Sequence, residues 1–262
     1  MPNSVVNHNF SKYDFEKAFV NHEMTHHFQG IMNLSTHKAE YFEALARWKH
    51  PTLGLINAAV FVDDLAAHGF VPQLTEVAVN SVRQYFEWVS SQNRIPVPVS
   101  INITAAEFES PDYVSYFSNL LKNANLPINL VSIEMLEWGD ANDLKLVGRV
   151  VEQFKSIGIK VYADDFGHAY GSFHRMMNIS YSGIKLDCEY ARSLESRIEA
   201  QVIIESMANF SQRLSLSLVV EGIETIAQAN FLRALGVKSG QGYLYNRPMP
   251  WAEAHLWLDP LI

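Results

Sequence analysis

Short β-rich runs alternate with helical stretches along the whole of this 262-residue chain, and that alternation restricts the fold more than any single residue does. Residues 25–32, 39–48, 97–103, 130–136, 160–165, 183–186, 217–221 and a short run near 240–243 read as strands. Residues 14–22, 57–68, 73–92, 143–156, 195–213, 225–235 and 251–258 read as helices. In the fourth of these, Leu144, Val147, Val151 and Phe154 recur at helical spacing and Gly158 stops the run. Asn57 and Ser110 read as N-caps, with Pro111 at the first helical position after the latter and Gly69 ending the helix that Asn57 opens. Strand–helix alternation over this length predicts an α/β fold in which a parallel sheet closes into a (β/α)8-type, TIM-like barrel. The competitor, an open doubly wound sheet, has no support from a Gly-rich dinucleotide loop or a P-loop.

Composition narrows the function. The formal net charge of −8 argues against a broad surface for a nucleic-acid polymer, although bound cations could still reverse the field for a small anionic substrate. No apolar run is long enough to span a bilayer, and the N-terminus lacks a basic region followed by an apolar stretch. The expectation is a cytoplasmic protein without membrane contact. The single cysteine, Cys188, excludes an internal disulfide and reads as a small buried apolar residue.

Barrel enzymes carry their chemistry at the C-terminal ends of the strands. Here polar residues fall in or near that place repeatedly: Glu43, Asn102, Glu134, Asp164 with Asp165, Lys185, Glu221 and Gln241. One charge at a strand end is ordinarily just solvated, but a set on successive strands is hard to explain as surface. Converging carboxylates repel one another unless a cation neutralises them. Oxygen-only donors suit Mg²⁺ or Mn²⁺, and no zinc-type Cys/His spacing is present. Two adjacent aspartates could hold two ions, the first bridging, with a lysine nearby as charge partner or water-orienting group. Chemistry and spacing alone therefore point to a metal-dependent phosphohydrolase-like barrel.

The segment Glu43-Ala44-Leu45 resembles the signature of the EAL-domain cyclic di-GMP phosphodiesterases, and further motifs follow in the family's order. They are Ser100-Ile101-Asn102, Glu134 with Glu137, Asp164-Asp165-Phe166-Gly167, Ile184-Lys185-Leu186-Asp187, Glu221-Gly222-Ile223-Glu224 and Gln241-Gly242-Tyr243-Leu244 with Arg247-Pro248. The resemblance covers about residues 14–255 and implies an EAL domain over 14–262 behind an N-terminal extension, 1–13. It implies a barrel with one strand antiparallel to the rest, two Mg²⁺ or Mn²⁺ ions, and hydrolysis of cyclic di-GMP to the linear dinucleotide pGpG. Glu43, Asn102, Glu134 and Asp164 would hold the first ion, and Asp164, Asp165 and Glu221 the second. Lys185 would contact the attacking water, and Glu224 and Gln241 would complete the catalytic set. Gln29, Arg47, Asp187 and Tyr243 would face the substrate, Arg47 through a phosphate. Glu137 would anchor the loop after Asp165. The resemblance also implies a homodimer and leaves room for a regulatory protein partner.

Departures from the family pattern fall in one loop and at three further places. The usual Asp-Phe-Gly-Thr-Gly-Tyr-Ser-Ser stands here as Asp165-Phe166-Gly167-His168-Ala169-Tyr170-Gly171-Ser172. Leu136 replaces a threonine, Gly30 a proline, and Ala66-Ala67 an acidic pair. No metal ligand is lost, and the altered loop is the main support for the alternative of an inactive module that senses cyclic di-GMP or binds a partner. His26 and His27 alternate faces on a strand and cannot easily share one ion.

Overall fold

The computed structural model describes residues 9–108, 110, 112–136, 144–167 and 172–258. The chain opens with α1 (Lys12–Val20), which Ser11 and Asp14 start with a reciprocal capping box. A hairpin of β1 (Met24–Asn33) and β2 (Ala39–His50) follows, then the short β3 (Gly54–Asn57), α2 (Ala58–Ala67) and α3 (Val71–Ser91). Then come β4 (Val99–Ile103), α4 (Ala105–Phe108), α5 (Tyr113–Asn123), β5 (Val131–Leu136), α6 (Leu144–Ser156) and β6 (Lys160–Phe166). The remainder is α7 (Ser172–Asn178), β7 (Gly183–Leu186), α8 (Cys188–Ser193), α9 (Ile198–Leu214), β8 (Ser217–Val220), α10 (Ile226–Ala234), β9 (Ser239–Gly240) and β10 (Met249–Pro250). A 3-10 helix, Trp251–Trp257, ends the described chain.

The strand order β1-β9-β8-β7-β6-β5-β4-β2 is closed by pairing of β1 with β2, giving a ring of eight. Strand β1 runs antiparallel to both neighbours, β2 and β9, while β2 and β4 to β9 are mutually parallel. The expected barrel with one reversed strand is what the chain forms. The accessory strands β3 and β10 pair antiparallel with β2 and β1.

Period-2 patterning decides what faces where. Val99, Ile101 and Ile103 of β4, Val131, Ile133 and Met135 of β5, and Ile184 and Leu186 of β7 pack outward into the main core under the helices. Their alternates, Ser100, Ser132 and Lys185, are buried polar residues inside the ring. Helix α6 contributes Val147, Val150, Val151 and Phe154 to the outer core; fully burying a side chain like Phe154 is worth about 1.5–3 kcal/mol. A smaller core joins Phe10 and Phe15 to Trp48, Phe61 and Leu65 beside the hairpin.

Several boundaries differ from the sequence reading. The Ser110 cap is corrected: α5 starts at Tyr113 after Asp112, and Ser110 instead accepts the Tyr113 N–H through its carbonyl at 3.1 Å. The strand expected near 240–243 ends at Gly240, because the chain then turns over Ile223. The last helix is 3-10 rather than α. Helices α4, α7 and α8 and strands β3 and β10 were not expected; each is too short to show a period. Pro111, Glu137, Asp143 and the loop residues His168 to Gly171 lie outside the described residues.

Candidate active site

Inside the barrel Tyr41 stacks on Tyr162 with ring centroids 5.7 Å apart, and Gly183 leaves room for this layer. Above it stands Lys185, fully buried, with Nζ 2.7 Å from Glu134, 2.9 Å from Glu43, 2.6 Å from Glu221 and 3.2 Å from Asp164. Residues 21 to 142 positions apart in sequence meet at this lysine because the strands that carry them close into one ring. Asn102 Nδ2 donates to Glu43 Oε1 at 2.9 Å, and Gln241 Nε2 donates to Glu43 Oε2 at 2.8 Å. Ser100 Oγ donates to Glu134 Oε1 at 2.6 Å, a contact that sequence reasoning missed because a lone serine in a strand carries no signal.

Asp164 and Asp165 are adjacent, yet both line one recess. Adjacent strand residues normally point to opposite faces. The register supplies the reason: Ala163 pairs with Ile184 and Phe166 with Leu186, so two residues of β6 oppose the one residue Lys185. Asp165 takes up the bulge with φ +51°, a left-handed conformation that aspartate tolerates better than most residues.

Burial sets the protonation of the cluster. It raises Glu134 well above the carboxylate range, with Glu43 adding repulsion, and it raises Asp164 as well. It pushes Glu221 up to about 8 and, with the charge of Asp164, Asp165 up to about 6. Glu43 goes the other way, to about 2: burial opposes its charge, but Lys185 and the hydrogen bonds from Asn102, Gln241 and Lys185 outweigh that. The same carboxylates hold Lys185 well above its ordinary value against the cost of burial.

The residues fit divalent cations. Oxygens of Glu43, Glu134 and Asp164 converge within 4.8 Å of one another, as do those of Asp164, Asp165 and Glu221. The two groups share Asp164, whose buried Oδ1 makes no well-directed hydrogen bond, and neither does Gln241 Oε1. Fully ionised, five carboxylates against one ammonium would leave four negative charges, which two divalent ions would balance.

The other expected site residues spread around the recess. Gln29 accepts from Gln241 Nε2 at 3.0 Å and donates to the Asn246 carbonyl, so Asn246, absent from the sequence reading, holds it in place. Tyr243 lines the recess half exposed, with the Arg247 guanidinium 4.1 Å over its ring. Asp187 caps α8 through the Glu189 N–H at 2.7 Å. Arg47 is buried and donates to the Ala46 carbonyl. Glu224 stands away from the acidic cluster, half exposed, 3.7 Å from Arg192.

The sequence profile described as the EAL domain matches residues 13–248. The chain belongs to the EAL domain family. Among its relatives is a cyclic di-GMP phosphodiesterase of Pseudomonas aeruginosa, 28% identical over 88% of this chain and 39% of its own length. Another is the cyclic di-GMP phosphodiesterase PdeR of Escherichia coli, 27% identical over 93% of this chain and 37% of its own. The chain thus spans less than two fifths of these relatives. A solved structure of the PaMucR phosphodiesterase in complex with c-di-GMP superposes with a TM-score of 0.84 at 28% identity, covering 91% of this EAL domain and 96% of that chain.

Proposed function

We propose that this EAL domain hydrolyses one phosphodiester bond of cyclic di-GMP to give linear pGpG. The observation that carries the reading is the pair of acidic groups sharing Asp164 at the bottom of an open recess. Glu43, Asn102, Glu134 and Asp164 would hold one divalent ion, and Asp164, Asp165 and Glu221 the other, Mg²⁺ and Mn²⁺ both suiting the donors. When bound, such a pair activates a water and stabilises the leaving oxygen of an in-line displacement. Lys185 would place a fixed positive charge beside that water, and it keeps four carboxylates aimed at one centre. Gln241 and Gln29 form a hydrogen-bonded pair on the wall that keeps Glu43 oriented. Tyr243, stiffened by Arg247, offers a ring face to a guanine base.

A homodimer belongs to the same reading, supported by the exposed apolar side chains Phe173 and Met177 on α7 and Val202 on α9. Among the described residues no helix is long and apolar enough to cross a membrane.

The test is incubation of the purified chain with cyclic di-GMP and Mg²⁺ or Mn²⁺, with an EDTA control and chromatography of the products. Metal-dependent pGpG is expected. Intact substrate, with cyclic di-GMP still bound, would replace the enzyme by a sensing module.

A further inference from the structure

The recess has a volume of about 270 Å³, near the lower end of ligand pockets at roughly 300–1,000 Å³. It can take the scissile phosphate and its surroundings, while the rest of a cyclic dinucleotide must lie over the rim. Such a substrate carries two phosphates. With the first over the acidic floor and the cations it would hold, the second would lie toward the rim that carries Glu224, and it needs a positive charge from the chain itself.

The cations near the site are few. Lys185 is fully buried and engaged with four carboxylates. Arg47, which the family resemblance assigns to a phosphate, is buried, holds the Ala46 carbonyl through Nη1 at 2.7 Å and does not line the recess. Arg247 covers the Tyr243 ring and does not line the recess. Among the described residues lining the recess, Arg192 alone is cationic. Its side chain is 59% exposed, and its Nε lies 3.7 Å from Glu224 Oε1, too far for a good hydrogen bond. An exposed pair of that kind contributes little to stability, so exchanging it for a phosphate is cheap. A guanidinium fork matches two phosphate oxygens at once. Helix α8 fixes where the arginine starts: Asp187 caps it directly after β7, five residues before Arg192.

We propose that Arg192 is a specificity-determining residue that binds the uncut phosphate of the cyclic dinucleotide. The assignment rests on the phosphodiesterase reading above. It makes the chain selective for substrates with two phosphates over simple phosphodiesters.

The test compares the wild-type chain with Arg192→Ala and Arg192→Lys on cyclic di-GMP and on bis(p-nitrophenyl) phosphate, which has one phosphate. Arg192→Ala is expected to raise KM for cyclic di-GMP about tenfold more than for the small diester, the worth of a single charge-assisted contact, with kcat for both nearly constant. Arg192→Lys restores part of the loss. Calorimetric binding of cyclic di-GMP, with and without EDTA, is expected to weaken in parallel. An equal change in KM for both substrates, no change in either, or a fall in kcat at constant KM overturns the assignment. A wild-type chain that binds cyclic di-GMP without cutting it removes the enzymatic reading and leaves Arg192 to be judged by binding alone. A wild-type chain that does not bind it overturns both.

Discussion

Lys185 on β7 reaches across the barrel to Glu43 on β2, four strands away in a ring of eight, with Nζ 2.9 Å from the carboxylate. The bond ties opposite walls together and also neutralises part of the acidic floor. Removing one partner of a buried ion pair leaves an uncompensated charge and costs about 3–5 kcal/mol. Lys185→Met is therefore expected to fold less stably in EDTA, by that order, and to recover more stability with Mn²⁺ than the wild type does. Thermal melts in the two conditions check this. A variant that melts like the wild type in EDTA would show that the carboxylates are not charged against the lysine.

The raised carboxylates give a pH dependence of definite sign. In the folded chain Asp165 keeps its proton to about 6 and Glu221 to about 8, both because of burial, whereas the unfolded chain releases those protons near 4. The native state then binds more protons than the unfolded state across that window, so stability without metal falls as pH rises from about 4 to 8. Glu43, held near 2, has already contributed its full share above pH 5 and adds no slope there. Metal binding expels the same protons, so Mn²⁺ affinity rises over the same range. Urea midpoints at pH 5.5, 7 and 8.5, with EDTA or Mn²⁺, are expected to fall with pH in the first series while the increment from metal grows. An EDTA series that rises with pH contradicts the burial argument.

Much of the architecture was legible because parallel strands buried on both faces leave continuous apolar runs, and the polar interruptions at Asn102, Glu134 and Lys185 mark the inward face. What was not legible depends on register. Nothing in Asp164-Asp165 signals a bulge, and without it period-2 logic would send one aspartate into the core. Arg192 was invisible for a similar reason: a charged residue on a six-residue helix has no pattern, and only the topology brings it to the recess. Asp187 was read toward substrate, and the structure gives it the further task of capping α8.

The bulge makes its own prediction. Asp165 holds φ +51° and a carboxylate that burial disfavours. Glycine adopts that conformation freely, relieving a strain of about 1 kcal/mol. Asp165→Gly is expected to be as stable as the wild type or more so in EDTA, while the number of Mn²⁺ ions bound falls from two to one and turnover is lost. Calorimetric titration reads the stoichiometry. Two ions still bound to the variant would remove Asp165 from the second metal group.

His26 lies on β1 with Nδ1 buried and without a hydrogen bond, and burial first, then Arg47 and His27, drives its pKa down to about 3. The unfolded chain protonates this residue near 6.5. Between 6.5 and 3 the unfolded state binds the extra proton, so stability falls as pH drops through that window. His26→Leu removes both the orphan nitrogen and the titration. Its stability is expected to fall less steeply than the wild type's from pH 6.5 to 4, by an amount on the order of a few kcal/mol at the acid end. Denaturation curves for the two proteins at matched pH decide it; parallel acid limbs would mean that His26 finds a partner for its charge.

The wall that carries Gln241 is the tightest crossing in the site. A Cβ on Gly242 would stand 2.0 Å from the Ile223 carbonyl oxygen and 2.3 Å from its nitrogen, both backbone atoms that cannot swing aside. The two segments are also laced together, with Ile223 N–H donating to Gln241 O and Leu244 N–H to Ile223 O, each at 3.0 Å. Gly242→Ala must therefore push the chain off Ile223 and carry Gln241 with it, away from Glu43 and Gln29. Overpacking of this kind costs about 1–3 kcal/mol or more, and here the displaced group orients the floor carboxylate. The expected result is a folded but less stable protein whose turnover falls far more than its urea midpoint. If turnover and stability drop together, the crossing serves the fold alone and Gln241 is not held by it.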